Sequence, residues 1–239
     1  ISLTRGLAYM IGSACEVTMA AAEAKEEYSA IVLGATGNVG GRIVQLLIRN
    51  PRFEVVVNMD RLEDEVGPRA QGADVALAAF GVGKGSAKMS EEDVRKIEIA
   101  YPLAFCRAAK AGGARVCGVM TAMGANPEAG MKYAKIIGEK EKAVESVQFD
   151  FLGVYRPAAI LGNSNTPGVL GYVMPLVNWA LPSKYHSIHK NDLARAMVAQ
   201  SEQAFLAIVQ GNGPKEPTIK ILEYKEMERF FVKGESDEP

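Results

Sequence analysis

Cysteine is scarce in this chain, histidine scarcer still, and neither sign of charge predominates. Cys15, Cys106 and Cys117 are its three cysteines, too few and too far apart in sequence for a disulfide framework. With only His186 and His189 beside them, they fall short of a four-ligand zinc site. The 27 Lys and Arg almost cancel the 28 Asp and Glu, leaving a net charge of -1. A protein built to grip a nucleic-acid backbone needs a basic excess, so that class is excluded. No run is long enough to span a bilayer. The longest apolar stretch, Gly168 to Leu181, contains Pro175 and Asn178 and falls short of the roughly 20 residues a transmembrane helix requires. It reads as a buried or substrate-covering segment.

What remains is ordinary globular composition, 48% hydrophobic and 23% charged, in a chain long enough to bury a full core. The sequence opens on Ile1, and residues 1–28 form an extension of two possible kinds. Their single early Arg, their Ser and Thr, and the lack of an acid before Glu16 suit the tail of an organellar presequence. They suit a lead-in helix equally well, and Met19 offers an alternative start. Residues 234–239 read as an acidic tail.

Between these ends, over residues 29–233, short β-like runs alternate with helical patterns, the signature of a parallel sheet covered on both faces. Ala30–Leu33, Glu54–Asn58, Asp74–Phe80, Arg115–Met120 and Asp150–Tyr155 read as strands. Helices are expected over Val39–Ile48, stopped by Asn50 and Pro51, and from Ser90 to Gly112-Gly113, with Ser90 and Asp93 as a capping pair and Pro102 as a kink. Further helices are expected over Tyr133–Val147 and from an Asn191 cap to about Phe205. Residues 215–231 add a strand and a closing helix. The fold expectation is an α/β Rossmann-type, doubly wound parallel sheet in a single domain, with a small C-terminal substrate-side region.

The glycine turn is the strongest local signal. Gly34, Gly37 and Gly40, with Ala35, Thr36, Asn38 and Val39 between them, follow a strand directly and open a helix directly. Gly34 permits the tight turn, Gly37 lets backbone approach a pyrophosphate, and Gly40 lets the helix pack on the strand. The helix N-terminus adds free N–H groups for the phosphates. Asp60, at the end of the second strand, would take the ribose hydroxyls of NAD, whereas the adjacent Arg61 would clasp the extra phosphate of NADP. The preference stays open.

The turn VLGATGNVGGR, the strand ending AAFGVGKG with Gly81, the segment RAAKAGGARVCGVMTAMGA, the motif VYRPAAILG and the later HSIHKNDLARAM together resemble the short-chain dehydrogenase/reductase superfamily. More narrowly they resemble its atypical branch represented by the HIV-Tat-interacting-protein-like oxidoreductases. The resemblance spans residues 29 to 230. It implies that Thr121, with Ala122 in the neighbouring slot, is the hydroxyl that polarises a substrate carbonyl, that Tyr133 is the proton donor, and that Arg156-Pro157 walls the nicotinamide site.

One part of that pattern is missing. The superfamily's Lys, four residues after the Tyr, is Ile137 here. Only the i+4 position sets an ammonium beside the phenol. Lys135 is rotated about 200° away and Lys140 lies about 10 Å further along the helix. No neighbouring cation then moves the phenol from its ordinary pKa of about 10. Tyr185, His186 and His189 occupy the substrate-side segment, where solvated surface roles compete with acid–base ones; Lys84 and Lys88 are open to phosphate or to solvent.

The reading is an NAD(P)(H)-binding protein, weak or inactive as an enzyme, serving as an accessory subunit of a larger assembly with protein partners, for which an organelle is one candidate home. Two alternatives stay open: an active carbonyl reductase using Tyr133, and a cytosolic regulatory partner-binding protein.

Overall fold

The alternation along each strand builds two separate cores on one sheet. In β1 (Tyr28–Leu33), Tyr28, Ala30 and Val32 enter one apolar cluster, and Ile31 and Leu33 the other. The same split recurs in β3 (Val75–Ala78), β4 (Val116–Met120) and β5 (Phe151–Tyr155). Successive side chains point to opposite faces, so strands that are apolar at every position must be covered on both. The computed structural model describes residues 28–49, 53–57, 70–82, 88–162 and 181–231. Among the sequence expectations, residues 1–27 with Cys15 and Met19, the Asn50-Pro51 stop, Asp60 and Arg61, Lys84, nearly all of Gly168–Leu181 and the acidic tail lie outside them.

The sheet has six parallel strands in the order β2-β1-β3-β4-β5-β8, with β2 at Phe53–Val57 and β8 at Thr218–Leu222. On one face lie α1 (Asn38–Arg49) and α5 (Lys190–Val209). Val39, Ile43 and Leu47 of α1 are buried there, and full burial of a side chain such as Ile43 or Leu47 contributes about 1.5–3 kcal/mol. On the other face lies α3 (Tyr101–Gly112), contributing Phe105, Cys106 and Ala109. Beside it runs α4 (Lys132–Glu145), whose Val144 enters the same cluster. A two-stranded parallel ribbon, β6 (Ile160–Leu161) and β7 (Ile188–His189), and a closing helix α6 (Tyr224–Glu228) form the C-terminal region. This is the doubly wound α/β architecture read from the sequence.

Local details differ from the sequence reading for physical reasons. β1 begins at Tyr28 rather than Ala30. The helix capped by Ser90 is not one cylinder. After α2 (Glu91–Arg95) it widens into a π turn, Lys96–Ala100, before α3 resumes. Pro102 lacks the N–H that would bond the carbonyl four residues back, and a π turn is one way a helix accommodates such a break. The cap of α5 is His189, whose Nδ1 accepts from the Asn191 N–H at 3.3 Å; Asn191 itself is already inside the helix. Gly113 does end α3, with a φ of 114 in the left-handed region.

Candidate functional site

Where the sheet order reverses between β1 and β3, their carboxyl ends open a crevice, the place where α/β sheets bind ligands. The glycine turn sits there. Gly34 has a φ of +87, and a Cβ on it would come within 2.5 Å of the Ala79 carbonyl oxygen at the end of β3. The Gly37 N–H closes the turn onto Gly34 O at 2.9 Å. A Cβ on Gly40 would stand 2.0 Å from Gly34 O, so α1 can start this close to β1 only without one. Thr36, Gly37 and Asn38 are exposed, while Val39 and Gly40 turn inward. The result is a backbone cradle open on its ligand side.

Opposite the turn, β3 continues into Phe80, Gly81 and Val82. Two buried charges that the sequence reading did not assign hold this segment. Glu98, in the π turn, accepts from the Val82 N–H at 2.9 Å. Lys140, on α4, donates to Phe80 O at 3.1 Å and to Glu98 at 3.2 Å. A Cβ on exposed Gly81 would press on the Glu98 carboxylate, meeting its Oε1 at 2.8 Å.

Tyr133 starts the first turn of α4, still 37% exposed. Its phenol does not keep its ordinary pKa. Burial of the hydroxyl, then the negative charge of Glu98, then a hydrogen bond to Glu98 all push it up. That direction is opposite to what a proton donor near neutral pH needs. Ile137 is fully buried, and Lys140, two turns beyond Tyr133, spends its charge on Glu98.

Thr121 and Arg156 belong to a different cluster. The Thr121 hydroxyl donates to Glu141 Oε1 at 2.8 Å and lies 3.2 Å from Tyr155 O. Arg156 grips the same Glu141 with Nε at 2.9 Å and a second nitrogen at 2.5 Å, a bidentate pair that raises the guanidinium pKa. Glu141 stands about 12 Å along α4 from Tyr133. The structure joins Thr121 to Arg156 through Glu141. Pro157 is buried, and its carbonyl accepts from the Met123 N–H at 2.9 Å.

The histidines are occupied. His186 Nε2 meets Leu181 O at 2.8 Å and its ring packs edge-on against Tyr224, while His189 caps α5. Lys88 is exposed. Cys106 and Cys117, 11 residues apart in sequence, are buried thiols with sulfurs 3.6 Å apart. Among the described residues no metal-binding cluster occurs, and no helix is long and apolar enough to cross a membrane.

Tyr155, fully buried with its hydroxyl donating to Met197 O at 3.4 Å, also has its pKa pushed up by burial. A raised native pKa means the folded state keeps protons that the unfolded chain gives up near pH 10, so stability falls as pH climbs past that value. Melting temperatures measured between pH 8 and pH 11 will decline above about 10, and more shallowly in Tyr155→Phe. Equal slopes in the two proteins would refute the assignment.

No protein-family model matches the chain. It is 30% identical over 175 residues to the protein FMP52, mitochondrial, of Candida albicans, a match covering 63% of this chain and 76% of the relative. It is 26% identical over 155 residues to HTATIP2 of Rattus norvegicus, covering 56% and 63%. Among solved structures, the UDP-glucuronic acid 4-epimerase from Bacillus cereus in complex with NAD superposes with a TM-score of 0.58 at 12% identity, over 82% of this chain and 78% of that one. The similarity to that enzyme is one of fold. The glycine turn at the sheet's switch point and the similarity to FMP52 agree: the chain belongs to the FMP52 family, within the atypical short-chain dehydrogenase/reductase branch.

Proposed function

We propose that the chain binds NAD(P)(H) at the glycine turn and is weak or inactive as a reductase, serving as a nucleotide-binding accessory subunit. The observation that carries this reading is an open glycine cradle combined with a phenol that faces a carboxylate instead of an ammonium. The cradle suits a dinucleotide: Gly34, Thr36, Gly37, Asn38, Val39 and Gly40 would hold the pyrophosphate, Gly81 would line the far wall, and Asp60 and Arg61 would decide the ribose. A bound nicotinamide would supply hydride chemistry. Tyr133 would have to supply the matching proton, and Glu98 holds that proton in place. The active site of the superfamily resemblance is thus incomplete at its proton donor. A mitochondrial home is the reading favoured by the name of the Candida albicans relative.

The test is nucleotide content after purification without added cofactor, then NADH and NADPH fluorescence titration of the stripped protein. Micromolar binding of one form, with no carbonyl turnover and no change in Tyr133→Phe, is the expected result. Turnover that Tyr133→Phe abolishes would establish an active reductase instead. No binding of either form at millimolar concentration would end the nucleotide reading.

A further inference from the structure

Three ion pairs step inward between the α2–π segment and α4. Glu91–Lys132 is the outermost, with side chains 50% and 58% exposed. Arg95–Glu139 is next, at 36% and 26%. Glu98–Lys140 is the innermost, at 2% and 1%. The first two are ordinary surface contacts between neighbouring helices, worth little individually. The third differs in kind. Withdrawing two charges from water is costly, and an apolar pair of similar volume serves stability as well or better. Stability is therefore a poor reason for Glu98 and Lys140 to be where they are.

Their hydrogen bonds point to another reason. Both ends of the pair reach past each other to backbone of the segment after β3, the Val82 N–H and the Phe80 carbonyl. Gly81 between them lies against the Glu98 carboxylate. The same strand end, at Ala79, packs on Gly34 of the glycine turn. The π turn carries Glu98 in the middle of its widened register, and π turns are concentrated at functional positions. One buried pair thus ties the π turn and α4 to the wall facing the glycine turn.

We propose that Lys140, acting through Glu98, is the positioning residue of the dinucleotide site, fixing the Phe80–Val82 wall that faces the glycine turn. The proposal rests on the dinucleotide reading above. Besides Lys140, the charged groups nearest to Glu98 along its own segment are Arg95 and Lys96, and Glu139 adjoins Lys140 on α4.

The test compares the parent with the double variant Glu98→Gln/Lys140→Met, which removes both charges and strands neither, and with Lys140→Arg. Two readouts are taken: NADH and NADPH affinity by fluorescence, and melting temperature. The double variant is expected to keep a melting temperature near the parent's and to bind the dinucleotide roughly tenfold more weakly. Lys140→Arg, which restores the cation beside Glu98, is expected to keep most of the affinity. A merely structural pair would shift melting temperature and leave affinity where it is. Unchanged affinity in the double variant of a parent that binds overturns the proposal. A parent that binds neither NADH nor NADPH refutes the dinucleotide reading itself, and the proposal with it.

Discussion

Gly40→Ala will lower the melting temperature and abolish measurable dinucleotide binding. The added methyl would sit 2.0 Å from the Gly34 carbonyl oxygen and 2.6 Å from its carbon. Both are backbone atoms of the turn, which cannot rotate away as a side chain would. Relief requires α1 to slide off β1, yet α1 is pinned by Val39, Ile43 and Leu47 in the core. Overpacking of this kind costs about 1–3 kcal/mol, and the displaced helix start would no longer present its N–H groups to the pyrophosphate. Gly41→Ala is the matched control. Its methyl would stand 3.2 Å from Ala35 O, a contact relieved by a small shift, so near-parental stability is expected. Thermal melts and NADH titrations on the two variants decide the matter; Gly40→Ala with parental stability and affinity would remove the glycine turn as the candidate site.

Lys140→Met alone will be the most destabilising of the charge substitutions. Methionine fits the volume but leaves Glu98 buried with no cation beside it. Breaking one side of a buried pair costs about 3–5 kcal/mol, which for a chain of this size lowers the melting temperature by roughly 6–20 °C. Adding Glu98→Gln in the same molecule should recover most of the loss, because the amide can still accept from the Val82 N–H that the carboxylate now holds. The surface counterpart, Lys132→Met, breaks the exposed pair with Glu91 and should cost under about 1 kcal/mol. Chemical denaturation of the three variants separates these cases. A loss below about 1 kcal/mol in Lys140→Met would mean that water or a shifted neighbour already compensates Glu98.

Much of the candidate site was legible because its signals are local. The glycine spacing, the strand before it and the helix after it occupy one continuous stretch, and each glycine has a steric job there. The missing ammonium was visible as well, since residues four apart on a helix share a face and Ile137 occupies that place. What lay beyond reach was the company Tyr133 keeps. Glu98 and Lys140 are 42 residues apart, and only Glu98 leaves a trace, as an acid in the apolar run Ile97–Ile99. The link from Thr121 to Arg156 through Glu141 is equally long-range, so the hydroxyl placed beside Tyr133 by resemblance is engaged elsewhere.

The sequence by itself determined the doubly wound sheet and the position of its ligand crevice. Strands apolar at every position demand cover on both faces, and a glycine turn between strand and helix marks where backbone must stay bare. Only the tertiary structure decided the electrostatics of that crevice. Which charges meet depends on how the π turn, the end of β3 and α4 converge, and the hydrogen bonds that seal Glu98 to Lys140 join segments with no shared periodicity. Burial then amplifies the result: a carboxylate near a phenol matters little in water, but the buried Glu98 pushes the Tyr133 pKa up where a neighbouring ammonium would have lowered it.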